Sequence, residues 1–174
     1  RYNLVDRRIE AEDLPYCERK GIGNLAHSPL GKGLLTGTYS PGHVFPEGDE
    51  RSTMPRFQGQ LFADYCAVVD RLKEVAGDLG ITMVQLAIAW CLRQEAVSCV
   101  LVGAKNPTQV EEHLMAAEVD LADEARERIE TILEDTPVGG TRGAGAPRYT
   151  CCGTHSGQGP ERKSVVEGKR GGPG

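Results

Sequence analysis

Apolar residues at Leu61, Tyr65, Val68, Leu72, Val75, Ala76 and Leu79 recur at spacings of three and four, the mark of an amphipathic helix, and Gly80 closes it. A second helix follows at once: Thr82 and Gln85 form a capping-box pattern ahead of the apolar body Leu86, Ile88, Ala89, Trp90 and Leu92. Cys99 to Val102 is an unbroken apolar run with β-branched residues, which predicts a parallel strand buried on both faces. Gly103 ends it. Asn106 and Pro107 then fit the N-cap and first position of a helix to about Ala117, with Gln109 completing a second capping box. A last helix, about Leu121 to Glu134, carries Ala125, Ile129, Ile132 and Leu133 on one side.

The front of the chain reads less regularly. Tyr2 to Val5 fits the end of a strand, and Arg8 to Lys20 a helical stretch that Pro15 should break near Leu14. Ile22 to Ala26 is a short strand whose Gly23 predicts close approach by another element. From Ser28 to Gln58 the residues turn to Gly, Pro, Ser and Thr, with charges gathered in EGDERS, which predicts a long loop and candidate lid. Strands alternating with helices point to parallel βαβ units and an α/β fold. The pattern alone does not separate a doubly wound sheet from a closed barrel, and three strands are too few to close a barrel of eight.

Composition changes the picture at the end of the chain. Residues 137–174 hold 11 of the 22 glycines and six Lys or Arg against two acids, so the formal charge of −5 divides into −9 before that point and +4 after it. Such a segment cannot bury enough apolar surface to offset its ordering entropy. We expect a domain over 1–136 and a disordered tail over 137–174, whose unlike composition points to a frameshifted or alternatively spliced end, and the lack of an initiator Met suggests a fragment. Neither part has a basic stripe with aromatics, which argues against nucleic acid. No apolar run suits a membrane span or secretory leader, so the expected location is the cytoplasm. Cys17, Cys66, Cys91 and Cys99 fall in apolar segments, where they read as small hydrophobes. Cys151, Cys152 and His155 are the only metal-like grouping, and they supply too few ligands for a tetrahedral site.

Two segments carry candidate chemistry. In His27 to Gly37, HSPLGKGLLTG, the glycines let the backbone approach a ligand and Ser28 offers a hydroxyl to an anionic oxygen. The same glycines also suit a turn that needs them for its backbone alone. In Val102 to His113, VGAKNPTQVEEH, a strand empties through Gly103 onto a helix N-terminus, whose N–H groups and dipole favour an anion. Lys105 adds a charge there. Gln109 and Glu112 have a second reading as capping partner and dipole-matched charge.

Taken in order, YNLVDRRIEAEDLPYC, GIGNLAHSPLGKGLLTG, GITMVQLAIAWCLRQ and CVLVGAKNPTQVEEHL resemble the aldo-keto reductase family, and most closely its branch of bacterial reductases and potassium-channel β subunits. The resemblance implies the C-terminal part of a (β/α)8 TIM barrel, incomplete in this chain, with NADP(H) at the C-terminal ends of the strands and a small carbonyl compound as substrate. It implies His27 against the nicotinamide ring and Ser28, Pro29, Leu30, Gly31 and Lys32 along the pyrophosphate, with Arg51 joining them from the lid. Gly103, Lys105, Gln109, Glu112 and His113 would hold the adenosine and its 2′-phosphate. The family's catalytic Asp, Tyr, Lys and His have no counterparts in these residues, since Asp6, Tyr16 and Lys20 match none of those motifs. The expectation is a carbonyl reductase by descent with no catalytic residues of its own. A non-catalytic nucleotide-binding module and a non-functional truncated product are the alternatives, and the oligomeric state stays open.

Overall fold

The longest periodic run becomes the longest helix. The computed structural model describes residues 1–136 and Val138, and in it α2 spans Gly59–Asp78. It buries Phe62, Tyr65, Cys66, Val68, Val69, Leu72, Val75 and Ala76 on one side. Burying a Val, Leu or Phe side chain contributes about 1.5–3 kcal/mol, so this stripe dominates the core. The helix stops where Gly80 turns left-handed, φ +68°, and the N–H groups of Gly80 and Ile81 reach back to Gly77 and Ala76 at 3.0 Å each.

Helix α3, Met83–Leu92, starts with both arms of the expected capping box: Gln85 N–H donates to Thr82 Oγ1 at 3.1 Å, and Thr82 N–H donates to Gln85 Oε1 at 2.9 Å. Trp90 in α3 is fully buried, stacked near Tyr2 and flanked by the guanidinium carbons of Arg7 and Arg93 at 5.1 and 4.4 Å from its ring centre. Arg7 is itself buried and bonds Glu10 and Glu130, which ties the front of the chain to α5, Asp123–Glu134. α5 buries Ala125, Ile129, Ile132 and Leu133, as its spacing predicts.

Two strands form the sheet among the described residues, β1, Asn24–His27, and β2, Val97–Leu101, paired in parallel. The register sets Leu25 opposite Cys99, Ala26 opposite Val100 and His27 opposite Leu101. A side chain at Gly23 would place its Cβ 2.3 Å from Ser98 Oγ, which is the close approach its glycine predicted.

Several expectations are corrected. Tyr2 to Val5 does not continue as a strand: Asn3 and Asp6 bridge one another, and Asn3 Oδ1 accepts from Val5 N–H at 3.1 Å, so the segment folds back into a turn. Pro15 does not break a helix near Leu14. It is the third residue of α1, Asp13–Lys20, where its missing N–H was unsatisfied in any case, and the interruption falls earlier, between a 3-10 turn at Arg8–Glu10 and α1. β2 is not buried on both faces. Ala26 is covered by the helices, but Leu25, Cys99 and Leu101 point the other way and are exposed, so Cys99 is no core filler. An apolar run reports what a strand prefers to touch, and not what covers it. Cys66 and Cys91 are buried as expected, and burial pushes the Cys91 thiol up to about 12.

No single helix among the described residues is long and apolar enough to cross a membrane. The expected tail over 137–174, with Cys151, Cys152 and His155, lies outside the described residues apart from Val138.

Candidate functional site

Because His27 sits opposite Leu101, the chain leaves both strands side by side, one ladder spacing of about 4.8 Å apart. The two glycine-bearing segments therefore open from the same end of the sheet.

The corner after β1 is strained. Ser28 (φ +59°) and Lys32 (φ +62°) are the two non-glycine residues with positive φ among the described residues, and Gly31 and Gly33 between and beside them are left-handed too. Each such non-glycine residue costs about 1–2 kcal/mol, so surrounding contacts must hold the shape. Asn3, fully buried, does so by donating from Nδ2 to Ser28 O at 2.8 Å, while Gly31 N–H closes onto the same carbonyl at 3.0 Å. Pro29 and Gly31 are buried, Leu30 packs against the core, and the Leu30 N–H keeps no partner among the described residues. Successive left-handed residues of this kind turn backbone N–H groups toward one concavity suited to an anion.

His27 ends β1 on the exposed face, with Nδ1 3.1 Å from Ser28 Oγ. Burial, then the positive charges at Arg1, hold its imidazole below the usual value against the opposing pull of Asp6. Asp6 is already bound to Arg1 and Arg8, and Tyr16 is exposed on α1.

The expected lid packs a cluster of rings onto the edge of the main core. Tyr39, Phe45, Phe57 and Phe62 meet with ring centres 5.2–6.4 Å apart. Arg51 lies 4.8 Å over Phe45, bonds Tyr39 Oη, and forks onto Asp49 at 2.9 and 2.5 Å. That fork, with the Arg51 backbone N–H and the nearby charge of Lys105, lowers the Asp49 carboxyl to about 2. Lys32 in turn pairs with Glu50 at 2.5 Å. The lid thus reaches the first corner through Glu50 and comes within electrostatic range of the second through Asp49.

The corner after β2 is relaxed and open. Gly103 and Lys105 are exposed, and the N–H groups of Gly103 and Ala104 donate to no described group. Asn106 caps α4, Pro107–Met115, by accepting from Gln109 N–H at 3.0 Å. Gln109 does not return the bond to Asn106 as a capping box would. Its Oε1 accepts from Lys105 N–H at 2.7 Å, one residue further out, and so pins the backbone that presents Lys105. Gln109 and His113 are one turn apart on α4, both half-buried with Glu112, and the Glu112 carbonyl accepts from Gln85 at 3.5 Å. Lys105 makes no ion pair with a described residue, in contrast to Lys32 and Arg51.

The model of the aldo/keto reductase family matches residues 1–134. The chain belongs to the aldo/keto reductase family. Among aldo/keto reductases and their kin it is 35% identical over 143 residues to a probable voltage-gated potassium channel subunit beta of Oryza sativa subsp. japonica, covering 78% of this chain and 43% of that one. It is 32% identical over 148 residues to the aldo-keto reductase yakc [NADP(+)] of Schizosaccharomyces pombe, covering 83% and 44%. The solved glycerol dehydrogenase AKR11B4 from Gluconobacter oxydans superimposes with a TM-score of 0.74 at 34% identity, over 79% of this chain and 42% of that one. The fold is accordingly part of a (β/α)8 barrel. The chain spans less than half the length of these relatives.

The structure brings His27 to Lys32 together with Gly103 and Lys105 at one end of the sheet, and Gln109, Glu112 and His113 follow along α4. Arg51 reaches them only through its lid neighbours. Sequence reasoning missed Asn3, Asp49 and Glu50. The acids were visible as the EGDERS cluster, and two of them beside Arg51 were the available signal; nothing local marked Asn3.

Proposed function

We propose that the corners after β1 and β2 hold one NADP(H), with the pyrophosphate against Ser28 to Lys32 and the adenosine with its 2′-phosphate against Gly103, Lys105, Gln109, Glu112 and His113. The supporting observation is the pairing of His27 with Leu101, which sets two anion-suited backbone corners side by side. The unpaired ammonium of Lys105 fits a third phosphate, and a relative from Schizosaccharomyces pombe is named for NADP(+). When bound, the nicotinamide supplies hydride to the carbonyl carbon of an aldehyde or ketone. The part played by these residues is to bind and orient: His27 stacks beside the ring, and the strained Ser28 corner fixes the phosphates.

Reduction also needs a proton donor at the developing alkoxide, and the family's catalytic Asp, Tyr, Lys and His have no counterparts in this sequence. On these 174 residues alone we expect little or no turnover. Mixing the protein with NADPH and 4-nitrobenzaldehyde and following the nicotinamide absorbance checks this, and sustained loss of absorbance contradicts it. A fluorescence titration with NADPH tests the site itself: Lys105→Glu weakens binding at least tenfold if Lys105 meets a phosphate, and leaves it unchanged if it does not.

A second reading, a non-catalytic nucleotide-binding module, draws on the same match of binding segments without the family's catalytic residues. The channel-subunit relatives favour it. Saturable NADPH binding without turnover after the remaining barrel strands are supplied supports this reading, and turnover under that condition supports the enzyme. The buried, unpaired thiols of Cys66 and Cys91 suit a reducing compartment, and we propose a cytoplasmic location.

A further inference from the structure

Lys32 and Glu50 are eighteen residues apart in sequence, yet their charged ends meet at 2.5 Å. Both side chains leave fixed backbone. Lys32 leaves a backbone fixed at φ +62°, and Glu50 opens a 3-10 turn, Glu50–Thr53, whose start is fastened by the Asp49 fork on Arg51 and whose Thr53 hydroxyl bonds the Glu50 carbonyl at 3.1 Å. The ring cluster of Tyr39, Phe45, Phe57 and Phe62 holds the rest of the lid behind that turn. The fold therefore delivers a carboxylate to the one ammonium of the first corner.

We infer that Glu50 is a built-in competitor for the anion of that corner: its carboxylate occupies Lys32 in the free protein and must withdraw when a phosphate arrives, so the lid lowers the affinity for the ligand. This rests on the dinucleotide reading above. An ammonium has three donors and could touch both groups, but a carboxylate and a phosphate around one nitrogen repel each other. The pair is also built to be displaced. Lys32 and Glu50 side chains are 35% and 67% exposed, where an ion pair is worth little and is weakened by salt. Removing the competitor should consequently tighten binding by about two- to fivefold.

The test uses the full chain, with Glu50→Gln and, as a control that removes an equal charge three residues away without touching Lys32, Glu47→Gln. NADPH and NADH are titrated by fluorescence at low ionic strength and at about 0.5 M salt. Glu50→Gln should tighten both nucleotides by about two- to fivefold at low salt, because Lys32 faces the pyrophosphate they share, and the gain should shrink at high salt. Glu47→Gln should bind as the unaltered protein does. Equal or weaker binding by Glu50→Gln, or an equal gain from Glu47→Gln, overturns the competitor while leaving the dinucleotide site standing. Absence of nucleotide binding by every form removes the site and the competitor together.

Discussion

Where β1 ends, the backbone is bent into left-handed residues and fastened from outside by Asn3, by the Tyr2 N–H on His27 O, and by the lid through Glu50. Where β2 ends, the backbone is relaxed and is fastened only by its own next turn, through Asn106 and Gln109. Both corners offer donors to an anion, but they are stabilised on different scales. The first needs long-range contacts because its shape is strained, so damage there should reach the whole fold. The second is a helix cap, and damage there should stay local.

Four perturbations sharpen that contrast, from the largest effect to the smallest. Asn3→Ala removes two side-chain bonds, one buried and one part-buried, and leaves the first corner without its anchor; we expect a loss of about 2–3 kcal/mol in urea unfolding. Gly33→Ala forces a Cβ into a residue at φ +92°, 3.2 Å from Tyr39 Oη, and should cost about 1–2 kcal/mol by the same measurement. Asn106→Ala loses one cap and should cost about 1 kcal/mol, with faster amide exchange confined to the first turn of α4. A loss as large as that of Asn3→Ala would erase the distinction between the corners.

The smallest effect is set by pH. The Asp49 carboxyl is depressed in the folded protein to about 2 from an ordinary 3.8, so its contribution is complete above the ordinary value and disappears as pH falls toward 2. The contribution of the fork to Arg51 should fall across that window, so the lid opens more readily although the fork itself is lost only near pH 2, whereas the neutral Asn106 cap should hold. Amide exchange of residues 49–53 against residues 107–110, compared between neutral pH and pH 3, reads the difference; equal protection at both sites would contradict it.

How much of this could be read in advance follows the range of each interaction. The Thr82 and Gln85 box and the stripe of α2 were legible because both are made within a turn or two of the chain. The second cap was half legible: Asn106 behaves as its type predicts, but Gln109 had two backbone N–H groups in reach, and spacing does not choose between them. Two errors share one cause. Apolar residues at Tyr2 to Val5 and at Cys99 to Val102 were read by type, yet the first turn is decided by the Asn3 side chain and the exposure of the second by what lies over it. The lid's ring cluster was invisible because Tyr39, Phe45 and Phe57 follow no period and stand among Gly and Pro. Of the site, the segments and their anion-suited glycines were legible, and the register that makes them neighbours was not.

The central claim is that one ligand engages both corners at once. Backbone amide resonances followed by NMR during an NADPH titration test it most directly. The account predicts that Leu30 and Gly31 shift together with Gly103 and Ala104 and saturate along a single binding curve. Shifts confined to one corner, or two curves of different midpoint, would contradict it.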